Sequence, residues 1–285
     1  MNLQYLKYFY AIARTGSFVK AAEELNYAQS NLSARIRQLE QELGTPLFVR
    51  SKKGVTLTEK GQQLLPYAQQ LLALSYEAES LVSSSEIQTR FLRIGAMESS
   101  AITFLPSILA DFHRQVPEVK LSLSTGISRT LTESVRNYEM DCAFVAGKLM
   151  DEDLNFRYVR DEELVIISEK TVESDSSWKD MLGESILVFP QGCSYRQRLE
   201  SIIEAQGMLP GETLEFSSLG SILASVAAGM GIAIFPRSVA SVFVQGHSLS
   251  LHPLPERYSR IQIYAVSRAK DYNQTLKRFL ESAAE

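Results

Sequence analysis

Residues 16–44 read GSFVKAAEELNYAQSNLSARIRQLEQELG, and this stretch decides the fold of the first part of the chain. Ser17 can cap a short helix over 18–25, and a turn of three residues, 26–28, separates it from a longer helix that Gly44 ends. One face of the longer helix is apolar, at Leu32, Ile36, Leu39 and Leu43. An earlier helix is predicted by the same kind of spacing at Leu3, Leu6, Phe9 and Ala13. Helices joined by so short a turn predict a helix-turn-helix.

The other face of the longer helix carries side chains that can hydrogen-bond base edges or bind phosphates. The candidates are Gln29, Ser30, Asn31, Ser33, Arg35 and Arg37. The alternative is that this face is merely solvated. Residues 47–57, LFVRSKKGVTL, contain two short β-like runs around a Lys-Lys-Gly turn, which predicts a basic wing. Arg50, Lys52 and Lys53 on this wing are suited to the phosphate backbone of double-stranded DNA.

The charge of the chain is divided unevenly along its length. Residues 1–60 hold nine Lys and Arg against five Asp and Glu, a net charge of +4, although the whole chain carries −4. Residues 91–285 carry a net charge of −6. A basic head on an acidic body is typical of a nucleic-acid module joined to another domain.

The head resembles the LysR-type transcriptional regulators over about 60 residues. The positions that match in order and spacing are Phe9, Ala13, Gly16-Ser17-Phe18, Ala21-Ala22, Leu25, Gln29, Ser33, Ile36, Leu39-Glu40, Leu43-Gly44, Leu47-Phe48, Arg50, Leu57-Thr58 and Gly61. Ala28 replaces the usual Ser or Thr that caps the reading helix, which costs about 1 kcal/mol unless another group caps it. Ala34 replaces a longer polar residue, so one base contact is missing unless Arg35 substitutes for it.

Residues 58–82 predict a long helix that connects the head to the body. Apolar residues recur at alternating spacings of three and four, which is the a/d seam of a two-helix coiled coil. These residues are Leu64, Tyr67, Leu71, Leu74, Ala78 and Leu81. The seam predicts a dimer, which the family resemblance supports, and packing against the chain's own body is the alternative. Ser83-Ser84-Ser85 is predicted to be a hinge.

In the body, short β-branched runs alternate with helical segments, which predicts an α/β fold with a mostly parallel sheet. Two groups of strands suggest two lobes. The order of elements resembles the LysR-type effector domain, which is similar to a periplasmic solute-binding protein. The predicted domains are therefore a winged helix-turn-helix over 1–58, a linker helix and hinge over 59–88, and an effector-binding domain over 89–285. Lobe I is predicted over about 89–163 and 267–285, and lobe II over about 164–266.

Three turns after predicted strands are small and rich in hydroxyl groups: 98–100, 126–128 and 192–194. In open α/β sheets, ligands bind beyond the carboxyl ends of strands, where helix N-termini favour anions. The sequence therefore predicts that these turns bind a small, anionic effector, with ordinary helix capping as the alternative. The predicted effector-binding residues are Ser99, Ser100, Gly126, Ser128, Cys193, Ser194 and Arg196.

Cys193 lies at a predicted helix N-terminus beside Arg196, a position that favours the thiolate. The region resembles the peroxide-sensing members of the family, which have a reactive Cys after a Gly. The resolving Cys expected about nine residues later is absent, because residues 201–203 are Ser-Ile-Ile. Cys193 is therefore predicted to line the pocket, and redox sensing through it is the alternative.

The remaining features exclude other classes of protein. The two cysteines and three histidines predict neither a disulfide framework nor a metal site, and no cofactor is expected. No secretory signal or run of ~18 apolar residues is present, so a cytoplasmic protein is expected. A metabolite receptor without DNA function would leave the basic head unused, and enzyme motifs are absent. The resemblance implies a regulator that forms dimers or tetramers, responds to an effector and contacts RNA polymerase.

Overall fold

The computed structural model describes residues 2–51, 54–82, 91–148, 151–169, 178–209, 211–244, 249–269 and 273–283. The chain divides into two compact units. The first unit contains Met1–Gln88 with Asn137–Glu139, and the second contains Thr89–Arg136 with Met140–Glu285. The predicted hinge at 83–85 lies outside the described residues.

The first unit begins with three helices, a hairpin and a long helix. Their bounds are α1 Leu3–Thr15, α2 Phe18–Glu24, α3 Gln29–Leu43, β1 Phe48–Ser51, β2 Gly54–Leu57 and α4 Glu59–Val82. Ser17 caps α2 by accepting a hydrogen bond from the backbone N–H of Lys20, as predicted. Helices α1 and α3 end at Gly16 and Gly44, both in the left-handed conformation. The predicted helix-turn-helix and hairpin are confirmed.

The core of the first unit includes most of the residues that the helical spacing selects, but Leu3 and Leu43, which it also selects, are 45% and 39% exposed. Phe9, Ile12, Leu32, Ile36 and Leu39 are each at most 1% exposed. Burying one such side chain contributes about 1.5–3 kcal/mol, so these positions hold the three helices together. The hairpin is anchored to the same core because the ring of Phe48 lies 5.3 Å from that of Phe9 and 5.8 Å from that of Phe18.

Helix α4 has two different apolar faces. Leu65, Ala68 and Leu72 contact the core of the head, and a Cβ atom on Gly61 would lie only 2.2 Å from the carbonyl oxygen of Leu47. Glycine at 61 thus lets α4 begin directly against the chain that leads into the hairpin. The second face is considered below with the predicted dimer seam.

The second unit is an α/β domain. Its strands are β3 Phe91–Ala96, β4 Lys120–Thr125, β5 Cys142–Ala146, β6 Leu154–Glu169, β7 Ile186–Val188, β8 Thr213–Glu215, β9 Ala233–Pro236, β10 Leu249–Pro253 and β11 Arg260–Arg268. Its helices are α5 Glu98–Thr103, α6 Leu105–Gln115, α7 Ser128–Arg136, α8 Trp178–Met181, α9 Ser194–Ala205, α10 Leu219–Ala227, α11 Arg237–Val244, α12 Glu256–Ser259 and α13 Gln274–Ser282.

The main sheet is mixed, so the prediction of a mostly parallel sheet is wrong. Its strands lie in the order β10-β6-β11-β5-β3-β4, and β9 also pairs with β6. Only the pairs β3–β4 and β3–β5 are parallel; β5–β11, β11–β6, β6–β10 and β6–β9 are antiparallel. A second, two-stranded sheet pairs β7 with β8 in parallel. A hydrophobic run indicates that a strand is present but not whether it runs parallel or antiparallel to its neighbours. The sequence therefore did not show that most strand pairs are antiparallel.

Strand β6 links the two parts of the main sheet. Its residues 154–163 pair with β11, whereas residues 164–169 pair with β9 and β10. This change of partners falls where the sequence places the start of lobe II. A cluster around Phe112, Phe144 and Phe279, with ring centroids 5.2–6.2 Å apart, forms a separate core within the predicted lobe I. Both observations support the lobe boundaries, which remain a prediction.

Candidate DNA-binding face and ligand cavity

The N-terminal turn of α3 presents three of the predicted base-reading residues to solvent. Gln29, Ser30 and Asn31 are all exposed. Ala28 is the N-cap of α3 and makes no side-chain hydrogen bond to it, as the sequence indicates. In helix-turn-helix proteins the N-terminal residues of the second helix contact base edges, and these three residues occupy that position.

Arg35 lies further along α3 and is held by two neighbours. Its Nη1 donates to the hydroxyl oxygen of Tyr5 at 3.3 Å and to Oε1 of Gln38 at 3.2 Å. The Tyr5 hydroxyl also donates to Gln38 at 2.9 Å. Arg37 is exposed and donates to the carbonyl oxygen of Ser33 at 3.4 Å. Both guanidinium groups are therefore on the surface of the head.

Ser33 does not lie on the exposed face, and this part of the prediction is wrong. The residue is 6% exposed, and its hydroxyl has no hydrogen-bond partner among the described residues. It precedes Ala34 and lies beside the buried Leu32, so the apolar side of α3 is wider than the spacing of the large residues indicates. A small side chain gives little periodicity signal, which is why the sequence did not show it.

The wing has the predicted hairpin geometry. Strands β1 and β2 are antiparallel, with Phe48 opposite Leu57 and Arg50 opposite Val55. Lys52, Lys53 and the side chain of Arg50 lie outside the described residues. The positions of these three cations on the DNA-facing surface therefore remain a prediction.

The predicted dimer seam divides between the two faces of α4. Leu64 packs against the core of the head. Tyr67, Leu71 and Leu74 are 65%, 36% and 59% exposed, and Ala78 is also exposed. The side chain of Leu81 lies outside the described residues. Tyr67, Leu71, Leu74 and Ala78 thus form a second, exposed face of α4, which is called the α4 stripe below.

All three predicted turns of the second unit contribute to one cavity of about 240 Å³. Four of the predicted effector-binding residues line it: Ser99, Gly126, Ser128 and Cys193. Nine further residues line it as well: Met97, Glu98, Thr125, Ile127, Phe189, Pro190, Tyr195, Ser217 and Phe235. Glu98 and Ile127 belong to two of the predicted turns but were not selected as effector-binding residues, and only the fold brings the other seven to the turns.

Hydrogen bonds within the protein already engage the hydroxyl groups of Ser99, Ser128 and Tyr195. The hydroxyls of Ser99 and Tyr195, both buried, lie 2.8 Å apart. The Ser128 hydroxyl donates to the sulfur of Met97 at 3.2 Å and accepts from the backbone N–H of Ala146 at 3.3 Å. A ligand that bonds to these hydroxyls must share or replace the present partners.

Three predicted effector-binding residues do not line this cavity. Ser100 is buried at 2% exposure, and Ser194 donates to the carbonyl oxygen of Ala146 at 2.7 Å. Arg196 donates to the carboxylates of Glu200 and Glu215, both at 2.8 Å. For these residues the sequence shows which chemical group is present but not where the side chain points. Helix α9 begins at Ser194, so its first side chains point in different directions around the helix axis.

Cys193 does not have the thiolate character predicted from its place at a helix N-terminus. Burial raises the pKa of its thiol, and this outweighs the opposing effects of the backbone N–H groups of Arg196 and Tyr195 and of the Arg196 charge. The residue is only 5% exposed. The positive charge of Arg196, which was expected to favour the thiolate of Cys193, is paired with the carboxylates of Glu200 and Glu215.

Comparison with known proteins identifies both parts of the chain. Residues 3–62 match the bacterial regulatory helix-turn-helix protein, lysR family, and residues 88–285 match the LysR substrate binding domain. The HTH-type transcriptional regulator GltR of Bacillus subtilis is 38% identical over 268 residues, covering 94% of this chain and 90% of GltR. CzcR of Bacillus subtilis is 39% identical over 288 residues, covering 100% of this chain and 98% of CzcR.

The chain belongs to the LysR family of transcriptional regulators. Its fold is that of a full-length LysR-type protein. A full-length OxyR variant from Pseudomonas aeruginosa matches it with a TM-score of 0.74 and 24% sequence identity. The match covers 100% of this chain and 93% of that chain. The predicted family and fold class are therefore confirmed. LysR-type proteins are DNA-binding regulators rather than enzymes, which also confirms that prediction.

Two further findings concern the described part of this LysR-type regulator. None of its described helices is both long enough and apolar enough to cross a membrane. Its described His, Cys, Asp and Glu side chains form no group of three or more that could hold a metal ion.

Proposed function

We propose that this LysR-type regulator changes its binding to promoter DNA when a small molecule binds in the cavity lined by Ser99, Ser128 and Tyr195. The observation that carries the proposal is that three turns, separated by about 28 and 66 residues in the sequence, contribute to the same cavity. Its volume of about 240 Å³ is suited to a small metabolite.

Hydrogen bonds that join distant segments beside the cavity give the ligand a means to act. Ser99 on α5 bonds to Tyr195 on α9, and Glu98 on α5 accepts from the backbone N–H of Leu219 on α10 at 2.9 Å. A ligand that competes with these bonds favours a different arrangement of the helices. By linkage, the ligand and DNA then alter each other's affinity by the same factor.

Sequence reading and assembly are assigned to the first unit. Gln29, Ser30 and Asn31 contact base edges, and Arg35, Arg37 and the wing cations contact phosphates or bases. The α4 stripe pairs two copies, because helix-turn-helix proteins bind paired half-sites as dimers. We also propose that two dimers form a tetramer, that the protein contacts RNA polymerase, and that it acts in the cytoplasm, where it reaches bacterial DNA.

The test measures DNA binding with the cavity open and with the cavity filled. Fluorescence anisotropy of a labelled promoter fragment is titrated with the full chain, with and without each member of a panel of small metabolites. Thr125→Trp fills the cavity from an exposed lining position, so the response to an active metabolite is expected to disappear while DNA binding without metabolite is unchanged.

Ser124→Trp is the matched control, because consecutive residues of a strand face opposite sides and Ser124 does not line the cavity. It should keep the response. A response that survives Thr125→Trp in full would show that the effector acts elsewhere.

A redox regulator acting through Cys193 is the other function considered, and the raised pKa of its buried thiol disfavours it. Peroxide oxidation requires the thiolate and access to solvent, and Cys193 is 5% exposed.

A further inference from the structure

Among the described residues that line it, the cavity has one carboxylate and no cationic side chain. Glu98 is the acidic residue of this lining, and none of the lining residues is Lys, Arg or His. The two arginines that directly follow lining residues in the sequence are paired with carboxylates: Arg196 binds Glu200 and Glu215, and the exposed Arg129 binds Glu133. The charges therefore argue against the anionic effector that the hydroxyl-rich turns predict.

The carboxylate of Glu98 is fixed by one of its two oxygens. Oε2 accepts from the backbone N–H of Leu219 at 2.9 Å, at the first residue of α10. The partial positive charge of the helix N-terminus stabilises a carboxylate there. Oε1 receives no hydrogen bond from any described residue, which leaves it able to accept from a ligand.

The N-terminus of α10, beside the cavity, is already met by groups of the protein. Glu98 accepts from the backbone N–H of Leu219, and the Ser218 hydroxyl accepts from the backbone N–H of Ser221 at 3.2 Å. An anionic ligand at α10 would have to displace Glu98 and would be repelled by it.

The walls of the cavity are suited to an organic cation. The rings of Phe189, Phe235 and Tyr195 line it, with centroids 5.9 Å apart for Phe189–Phe235 and 6.1 Å apart for Tyr195–Phe235. Aromatic rings attract ammonium groups, and their apolar bodies bury hydrocarbon. Among the described residues, Glu98 belongs to no group of three or more His, Cys, Asp or Glu side chains that could hold a metal ion.

We infer that the ligand of this cavity is a small organic amine, whose ammonium group pairs with Oε1 of Glu98 and whose apolar body packs against Phe189 and Phe235. This inference rests on the proposed function, because it takes the cavity as the effector site. A hydrogen bond between two charged groups is worth about 10- to 100-fold in affinity.

Three aromatic probes of similar size and different charge test the inference: benzylamine, benzyl alcohol and benzoate. Isothermal titration calorimetry of the full chain is expected to show benzylamine binding about 10- to 100-fold more tightly than benzyl alcohol, with benzoate weakest. In Glu98→Gln the amide oxygen can still accept from Leu219, so the fold is retained. That variant should lose the preference for benzylamine and keep the affinity for benzyl alcohol.

Glu118→Gln removes an exposed charge outside the cavity and should behave as the wild type. Three results would overturn the inference: no benzylamine binding at millimolar concentration, tighter binding of benzoate than of benzylamine, or an unchanged preference for benzylamine in Glu98→Gln.

Promoter binding measured in parallel separates this inference from the proposed function. If benzylamine binds through Glu98 and promoter affinity never changes, the ligand class stands and effector control through this cavity fails. If instead an anion binds in the cavity and changes promoter affinity, and Thr125→Trp abolishes the effect, effector control stands and the amine assignment fails.

Discussion

Replacing Leu74 by Asp tests whether the α4 stripe holds two copies of the protein together. Leu71 and Leu74 are 36% and 59% exposed, so together they leave about one leucine side chain of surface open to water. Full burial of one such side chain contributes about 1.5–3 kcal/mol, so burying both in each of two chains contributes about 3–6 kcal/mol. The share of Leu74 alone is about 1.8–3.5 kcal/mol, or roughly 20- to 300-fold in the dimer Kd.

In Leu74→Asp the dimer Kd should rise by at least this factor, because the two new carboxylates must also lose water or separate. Sedimentation velocity over a range of protein concentrations measures the shift from dimer to monomer. The Tm of the head should change little, since Leu74 does not contact its core. Gln62→Asp places the same charge at an exposed position of α4 outside the stripe and should leave the Kd unchanged. A Leu74→Asp protein with the wild-type mass at all concentrations would refute the reasoning.

The other predictions concern DNA reading, stability and thiol chemistry. In a binding-site selection, Gln29→Ala should lower the discrimination at one base pair by about 1–3 kcal/mol. Arg37→Ala should instead weaken binding to all DNA sequences alike and lower the slope of log affinity against log salt concentration by about one unit. Equal effects of both variants on all sequences would contradict this. Ile36→Ala should lower the free energy of unfolding by about 2–5 kcal/mol in urea denaturation, because Ile36 is 1% exposed. The raised pKa of Cys193 means that the folded protein holds the thiol proton more tightly than the unfolded chain does. The contribution of this group to stability is therefore fully present below the pKa of the unfolded chain. It is lost as the pH rises through the pKa of the folded protein. Iodoacetamide should therefore label Cys193 slowly at pH values where a free cysteine reacts, and rapid labelling would contradict the burial.

The head could be predicted almost completely from the sequence, because its structure depends on local signals. Gly16 and Gly44 end helices, Ser17 begins one, and the spacing from Leu32 to Leu39 selects the buried face. The error at Ser33 arose because a serine fits a buried or an exposed position, and helical spacing does not distinguish them. Whether Ser33 is buried depends on the residues that pack against α3 from distant parts of the chain, and a single sequence does not show those contacts.

The body was predicted less completely, because its structure depends on pairing between distant segments. Strand β10 and the first ten residues of β6 were not predicted, since charged and polar residues interrupt their hydrophobic pattern. The convergence of the three turns could be predicted from the topology of α/β sheets. The directions of Ser194 and Arg196, and the position of Glu98 in the cavity lining, follow from how helices α9 and α10 pack, which local pattern does not encode.

The hydrogen bonds beside the cavity set the scale of the regulation that a ligand can produce. The neutral bonds Ser99–Tyr195 and Ser194–Ala146 contribute about 0.5–1.5 kcal/mol each, and the charged bond from Leu219 to Glu98 about 1.5–3 kcal/mol. A ligand shifts a conformational equilibrium only by the difference between its affinities for the two states. Coupling between a ligand and DNA is typically about 1–3 kcal/mol. Weakening the hydrogen bond from Leu219 to Glu98 alone therefore supplies a coupling free energy within this range. Weakening the Ser99–Tyr195 hydrogen bond alone supplies at most the lower part of the range. Glu98→Gln should accordingly reduce the response of promoter binding to ligand more than Tyr195→Phe does, as measured by promoter anisotropy at saturating ligand.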